Sequence, residues 1–237
     1  MNHPIIAIVS RMVQEGDAQL AERALVAVAD EEGDLVLSEV IEAMPPRDLV
    51  AILREHDASH PSIVGVLVTP ASFVKALAME AKYNDRTHEA LRGMINMVLF
   101  RDDEPDPFIE AMGDSEHGIL ALADYFSEYH EELELFFQNG TFNFLDCDPV
   151  ELPKNDNDLE ESEMGSSYRQ PTDSLQDIQD QDWRELAWRL RCDHYSVFTE
   201  LLKTLRGRAR SATGKLEQTE ADKPVKAAND DKEESFL

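Results

Sequence analysis

The chain has 237 residues, with 49 acidic side chains against 22 lysines and arginines, a formal charge of -27. A field of that sign repels the nucleic-acid backbone and anionic lipid, which disfavours general DNA, RNA or membrane-surface roles. Hydrophobic residues make up 42%, enough to bury a core against the entropy of ordering the backbone, and the length suits one domain with an appendage.

No run reaches the ~18 apolar residues that a bilayer span requires. The opening MNHPIIAIVSRMVQEGDAQ has a short apolar stretch but no basic leading region, and Gln14 and Glu15 come too early for a secretory signal. The expected location is therefore cytoplasmic. Cys147 and Cys192 lie far apart without CxxC spacing, so both are expected as thiols rather than as zinc ligands or a disulfide framework.

The first hundred residues read as short helices with clear breaks. Asp17 caps a helix from Ala18 to about Ala29 on which Leu20, Ala24, Leu25 and Val28 recur at helical spacing, and EEGD at 31–34 ends it. Leu37, Val40, Ile41 and Met44 form the next stripe, stopped by Pro45 and Pro46. Pro46 then occupies the first turn of a helix through His56 that carries Leu49, Val50, Ile52 and Leu53. These paired helices, LSEVIEAMPPRDLVAILREHD, resemble the helical repeats of adaptor and regulatory domains, since a minimal connector forces neighbours to pack. No specific functional motif accompanies that resemblance, and no strict period is evident.

SIVGVLVT at 62–69 is the most strand-like run here. Gly65 and the flanking Pro61 and Pro70 equally suit a short buried helix or tight connector, which is the reading adopted. Thr69 or Pro70 opens a helix to about Tyr83, and Thr87 caps another through Phe100 with Leu91, Met94, Ile95, Val98 and Leu99 inside. RDDEPDP breaks the pattern. A helix around Phe108–Met112 follows, then a longer one from Asp114 or Ser115 to Phe137, with Ile119, Leu122, Ala123, Phe126, Leu133 and Phe136 on its apolar stripe.

Asn139-Gly140 signals a turn, with Phe142, Phe144 and Leu145 as a small strand or flap beyond it. Residues 102–163 hold twenty acidic groups and one basic group, Lys154. An aromatic amphipathic helix then runs from Asp182 to about Leu205, and its exit KTLRGRARSATGK is basic throughout.

The expected fold is all-α. A multi-helix orthogonal bundle or short helical-repeat domain fills 1–148, and an acidic flexible linker or loop covers 149–181. The amphipathic helix of 182–208 docks on the main domain or on a partner, and 209–237 form a disordered tail.

Chemistry-bearing residues are present without a complete constellation. Asp124, Glu128, Glu131 and Glu132 share helical spacing, but His130 lies two residues after Glu128 rather than three, and a solvated acidic face explains them. Asp85 and His88 with Glu89 read as a helix entry. His56, His60, His117 and His194 have no nucleophile fixed beside them. Cys192-Asp193-His194 are adjacent on a helix and so point apart. Cys147 sits between Asp146 and Asp148, which oppose thiolate formation. P-loop, GxGxxG, HExxH, GxSxG and EF-hand patterns are missing from the sequence, so no cofactor and no metal site is expected.

The basic exit can pair with the acidic stretch or meet an outside partner. Trp183 and Trp188 are half a turn out of phase, so that one can bury while the other anchors a neighbour. Trp183, Trp188, Tyr195, Phe198, Arg206, Arg208 and Arg210 are the candidate partner-binding residues. The terminal Ser235-Phe236-Leu237 also has the form of a short recognition peptide. The function expected is a noncatalytic helical adaptor, assembly factor or chaperone-like protein that binds another protein. The rivals are a helical enzyme with a carboxylate/histidine metal site and an acidic nucleic-acid mimic.

Overall fold

The computed structural model describes residues 3–56, 60–83, 85, 87–101, 104–143, 171–179 and 182–221, with side chains as far as 212. Over those residues it is an all-α orthogonal bundle of thirteen α-helices without a strand. The short apolar stretch at the start is α1 (Pro4–Gln14), entered through His3, whose Nδ1 accepts from the Ile5 amide. α2 (Ala18–Glu32) is capped by Asp17, which accepts from the Leu20 amide at 2.9 Å. Gly33, at φ 92°, turns the chain into α3 (Asp34–Ala43), a conformation that costs glycine little and other residues much. Pro46 opens α4 (Pro46–Arg54), as its fixed φ and missing N–H predict.

The ambiguous SIVGVLVT run is helical. Ser62 accepts from the Gly65 amide at 3.0 Å and starts α5 (Ile63–Leu67), and Thr69 then caps α6 (Pro70–Glu80), which tightens into a 3-10 turn at Ala81–Tyr83. α7 (Glu89–Leu99) begins one residue later than the Thr87 signal suggests, with His88 rather than Thr87 at the cap position. Asp85 Oδ1 accepts both the amide and the hydroxyl of Thr87, at 3.0 and 2.9 Å, and His88 behind it stands in the left-handed region at φ 53°.

α8 (Asp106–Gly113) and α9 (Glu116–Tyr125) form a tight corner. The long helix expected up to Phe137 is in fact two, α9 and α10 (His130–Asn139), separated by a 3-10 turn at Ser127–Tyr129. The cause is tertiary. The Tyr125 carbonyl, which in a continuous helix would receive the Tyr129 amide, accepts from Arg92 Nε of α7 at 3.1 Å, and the Tyr129 amide bonds Phe126 instead. Ser127 Oγ donates to the Asp124 carbonyl at 2.8 Å and reinforces the break.

Of the stretch read as a linker, 149–170 and 180–181 lie outside the described residues, whereas 171–179 is fastened to the body. The Thr172 amide donates to the Gly140 carbonyl, and the Asp173 carboxylate accepts from the Phe142 amide at 2.7 Å and the Thr141 hydroxyl at 3.0 Å. A Ser174–Asp177 capping box opens α11 (Leu175–Ile178), which buries Ile178. The aromatic segment is likewise two helices, α12 (Trp183–Cys192) and α13 (Tyr195–Ala221). Helix therefore continues past the expected boundary at 208, and 222–237 lie outside the described residues.

Residues 1–205 make one compact unit, and α13 runs from it into a second unit at Arg206. The core of the first unit is continuous from Val9, Leu25 and Leu49 through Phe73, Met94 and Met112 to Phe126, Phe136, Leu190, Phe198 and Leu202. Each such side chain contributes about 1.5–3 kcal/mol on burial. No helix among the described residues is long and apolar enough to cross a membrane.

Candidate functional site

Two hollows open on the first unit. The larger, a cleft of about 930 Å³, runs between the end of α4, residues 60–62, α5 and the face of α7. Leu53, Met94, Met97 and Phe100 give it an apolar floor, with Val66 exposed beside them and His60, Thr87, Glu89 and Asn96 along its sides. Its walls are braced from behind. His56 Nδ1 and the Ser62 hydroxyl both meet the Glu22 carboxylate, at 2.8 and 2.6 Å, while Arg101 donates to the Gly65 and Val68 carbonyls and lies over the Phe108 ring.

Gly65 and Gly93 shape this cleft in opposite ways. A Cβ on Gly65 would stand 2.9 Å from the Met97 sulfur, so any side chain there would require Met97 to shift. A Cβ on Gly93 would meet nothing within 4 Å, because that position faces the open cleft.

The smaller hollow, about 330 Å³, is lined by Glu80, Asp85, His88, His117 and Asp124 together with Leu77, Leu91 and Leu120. Arg54 joins Glu80 on α6 and Asp85 at 3.6 Å, and it stacks over Tyr83. Burial raises the Glu80 pKa, outweighing the opposing pull of Arg54, whereas the hydrogen bonds from Thr87 lower that of Asp85.

The candidate partner-binding residues fall into three groups. Trp183 is half-buried, stacked on Tyr129 with centroids 4.5 Å apart and edge-on to Phe142 at 5.6 Å. Trp188 is half-buried and donates to the Asp173 carbonyl at 2.8 Å, Tyr195 packs against the core, and Phe198 is fully buried. Arg206 is buried, while Arg208 and Arg210 are exposed. The terminal Ser235-Phe236-Leu237 lies outside the described residues.

Of the carboxylates and histidines singled out from sequence, Asp85, His88, His117 and Asp124 come together at the smaller hollow, whereas others form local pairs. Glu128 meets Arg92 at 3.0 Å, His130 lies 3.7 Å from Glu134, and His194 meets Asp106 at 3.0 Å. No group of three His, Cys, Asp or Glu among the described residues is placed to hold a metal ion. Cys147 lies outside those residues. Cys192 is half-buried, and its thiol is pushed up to about 11 by desolvation and by Asp193, against the opposing charge of Arg191. In a Cys147→Ser background, iodoacetamide should therefore modify it roughly a hundredfold more slowly at neutral pH than an ordinary exposed cysteine. The rate should keep climbing beyond pH 10; a plateau near pH 9 would contradict this environment.

Glu80, Arg54, Gly93 and Met97 were not singled out from the sequence. Gly93, a glycine inside an apolar helical pattern, is the one signal that could have marked the cleft. No protein-family model matches the chain, and neither the curated proteins nor the solved structures yield a match.

Proposed function

We propose that this chain is a noncatalytic helical adaptor, assembly factor or chaperone-like protein that receives a segment of another polypeptide. The observation that carries this reading is the cleft between α4, α5 and α7. Its volume of about 930 Å³ suits several side chains. Methionines line part of its floor, and their unbranched, polarisable side chains adapt to varied apolar partners. Polar groups on three elements surround that floor and can meet a partner backbone.

The aromatic residues of α12 and α13 support the reading by securing the scaffold. Trp183, Trp188, Tyr195 and Phe198 hold the C-terminal helices against the body on which the cleft is built. The half-buried edges of Trp183, Trp188 and Tyr195 remain proposed secondary contacts of the first unit, with Phe198 buried behind them, and Arg206, Arg208 and Arg210 are proposed separately as partner contacts of the second unit. A cytoplasmic site of action is part of the same proposal.

Truncation before Asp182 is a poor test, because it would expose the core around Leu190 and Phe198. A photo-cross-linking residue at Ala90, on the cleft wall, should instead capture one polypeptide from native extract. The same residue at Leu35, which is 85% exposed on α3, should not. Gly93→Trp should fill the cleft without disturbing the core and abolish the Ala90 adduct. Equal adducts at both positions, or capture that survives Gly93→Trp, would sink the proposal.

A further inference from the structure

The wall of the cleft contains a histidine whose two ring nitrogens both face oxygen. The His56 side chain is 7% exposed; its Nδ1 lies 2.8 Å from Glu22 Oε2 on α2, and its Nε2 lies 2.6 Å from the His60 carbonyl. A neutral imidazole has one N–H and one lone pair, so it would satisfy one of these acceptors and set its lone pair against the other. Turning the ring over would press C–H carbons onto the same oxygens. Glu22 is arranged as a carboxylate, because its other oxygen accepts the Ser62 hydroxyl at 2.6 Å and both oxygens then receive donors.

Ser62 ties this group to the cleft. The same hydroxyl oxygen accepts the Gly65 amide at 3.0 Å and starts α5, and Gly65 lies beside the Met97 sulfur of α7. The exit of α4, the entry of α5 and α2 therefore meet at one carboxylate. The other charged or titratable groups around the cleft are Arg54, engaged with Glu80 and Asp85, together with Glu89, Arg101 and His60. Glu55, next to His56 in the chain, is exposed.

We infer that His56 is held as an imidazolium and that its two N–H bonds latch the α4–α5 wall of the cleft to α2. Desolvation of the ring opposes its charge, and the carboxylate 2.8 Å away outweighs that penalty. Both bonds together require the charged ring. The latch is therefore complete when His56 is protonated, and it is lost as pH rises through the value at which the folded ring gives up its proton. That the latch governs capture of a polypeptide rests on the function proposed above.

The test is nitrogen-15 and methionine-methyl NMR of the full chain between about pH 6 and about pH 9, the range around histidine titration. At about pH 7.5, where an ordinary histidine is about nine-tenths neutral, His56 should still show two protonated ring nitrogens. The Met97 methyl should shift on the same curve as the His56 ring, whereas the methyl of Met112, buried on α8, should not. His60→Gln should leave that shared curve in place. Glu22→Gln should make His56 neutral at the same pH and remove the Met97 shift on the alkaline side. Its amide still accepts from Ser62 and donates to a neutral Nδ1, and the remaining ring N–H keeps the His60 carbonyl.

One unprotonated ring nitrogen in the parent at about pH 7.5, or a Met97 curve that disappears with His60→Gln, would overturn the inference. Photo-capture at Ala90 separates it from the function on which the regulation rests. Capture that falls severalfold as His56 loses its proton supports that regulation, and capture equal on both sides of the titration overturns it. Absence of capture at every pH would count against the proposed function alone, because the ring and methyl titrations need no partner.

Discussion

Replacing Gly118 by alanine is expected to destabilise the fold by about 3 kcal/mol, against the sign that helix propensity gives. Within α9, alanine should gain about 0.5–1 kcal/mol over glycine. The α8–α9 corner reverses that expectation. A Cβ at Gly118 would lie 2.7 Å from the Met112 carbonyl carbon and closer still to its oxygen and Cα. These are backbone atoms of α8 beside the fully buried Met112 side chain, so no rotamer change relieves the overlap. Thermal unfolding should show a midpoint about 6–12 °C below that of the parent. A midpoint equal to or above the parent's would mean that the corner opens without cost.

Arg191→Ala should be comparably damaging, with an expected loss of about 4 kcal/mol. Arg191 is fully buried, its guanidinium lies 4.7 Å from the centre of the Phe136 ring, and it donates to the Phe136 carbonyl in the last turn of α10. That carbonyl also accepts from the Gly140 amide at 2.9 Å, so the arginine supplies its second hydrogen bond and a positive charge at a helix C-terminus. Arg191→Met retains most of the volume and leaves the Gly140 bond in place, and should cost about half as much. Urea denaturation of both variants separates the contributions. Equal losses would show that the charge and its hydrogen bond to Phe136, which both variants lack, carry the effect and that the volume methionine restores adds little; a near-zero loss for alanine would contradict the buried role altogether.

Much of the helical part was legible because its signals are local. Asp17, Thr69 and Pro46 stand at the helix entries where their side-chain and φ chemistry places them, and the apolar residues of α2, α3, α4, α6 and α7 return at helical spacing onto the core. The two helix breaks were not legible. The apolar phase runs through Phe126 to Leu133, and through Leu190 to Phe198, without interruption, so nothing local reports that Arg92 will take the Tyr125 carbonyl or that Arg191 will turn inward to α10. The clasp of Asp173 on the turn at 140–142 was hidden for the same reason, since its partners lie some thirty residues away.

The sequence by itself determined an acidic all-α chain and most of its helix starts, because capping, proline geometry and apolar periodicity act within a few residues. Tertiary structure alone decided where α9 and α12 end, which aromatic faces are covered, and that Glu80 and Asp85 share Arg54 beside one hollow while Gly93 opens another. Those outcomes depend on which distant groups compete for a carbonyl, a charge or a volume, and that competition exists only once the helices have packed.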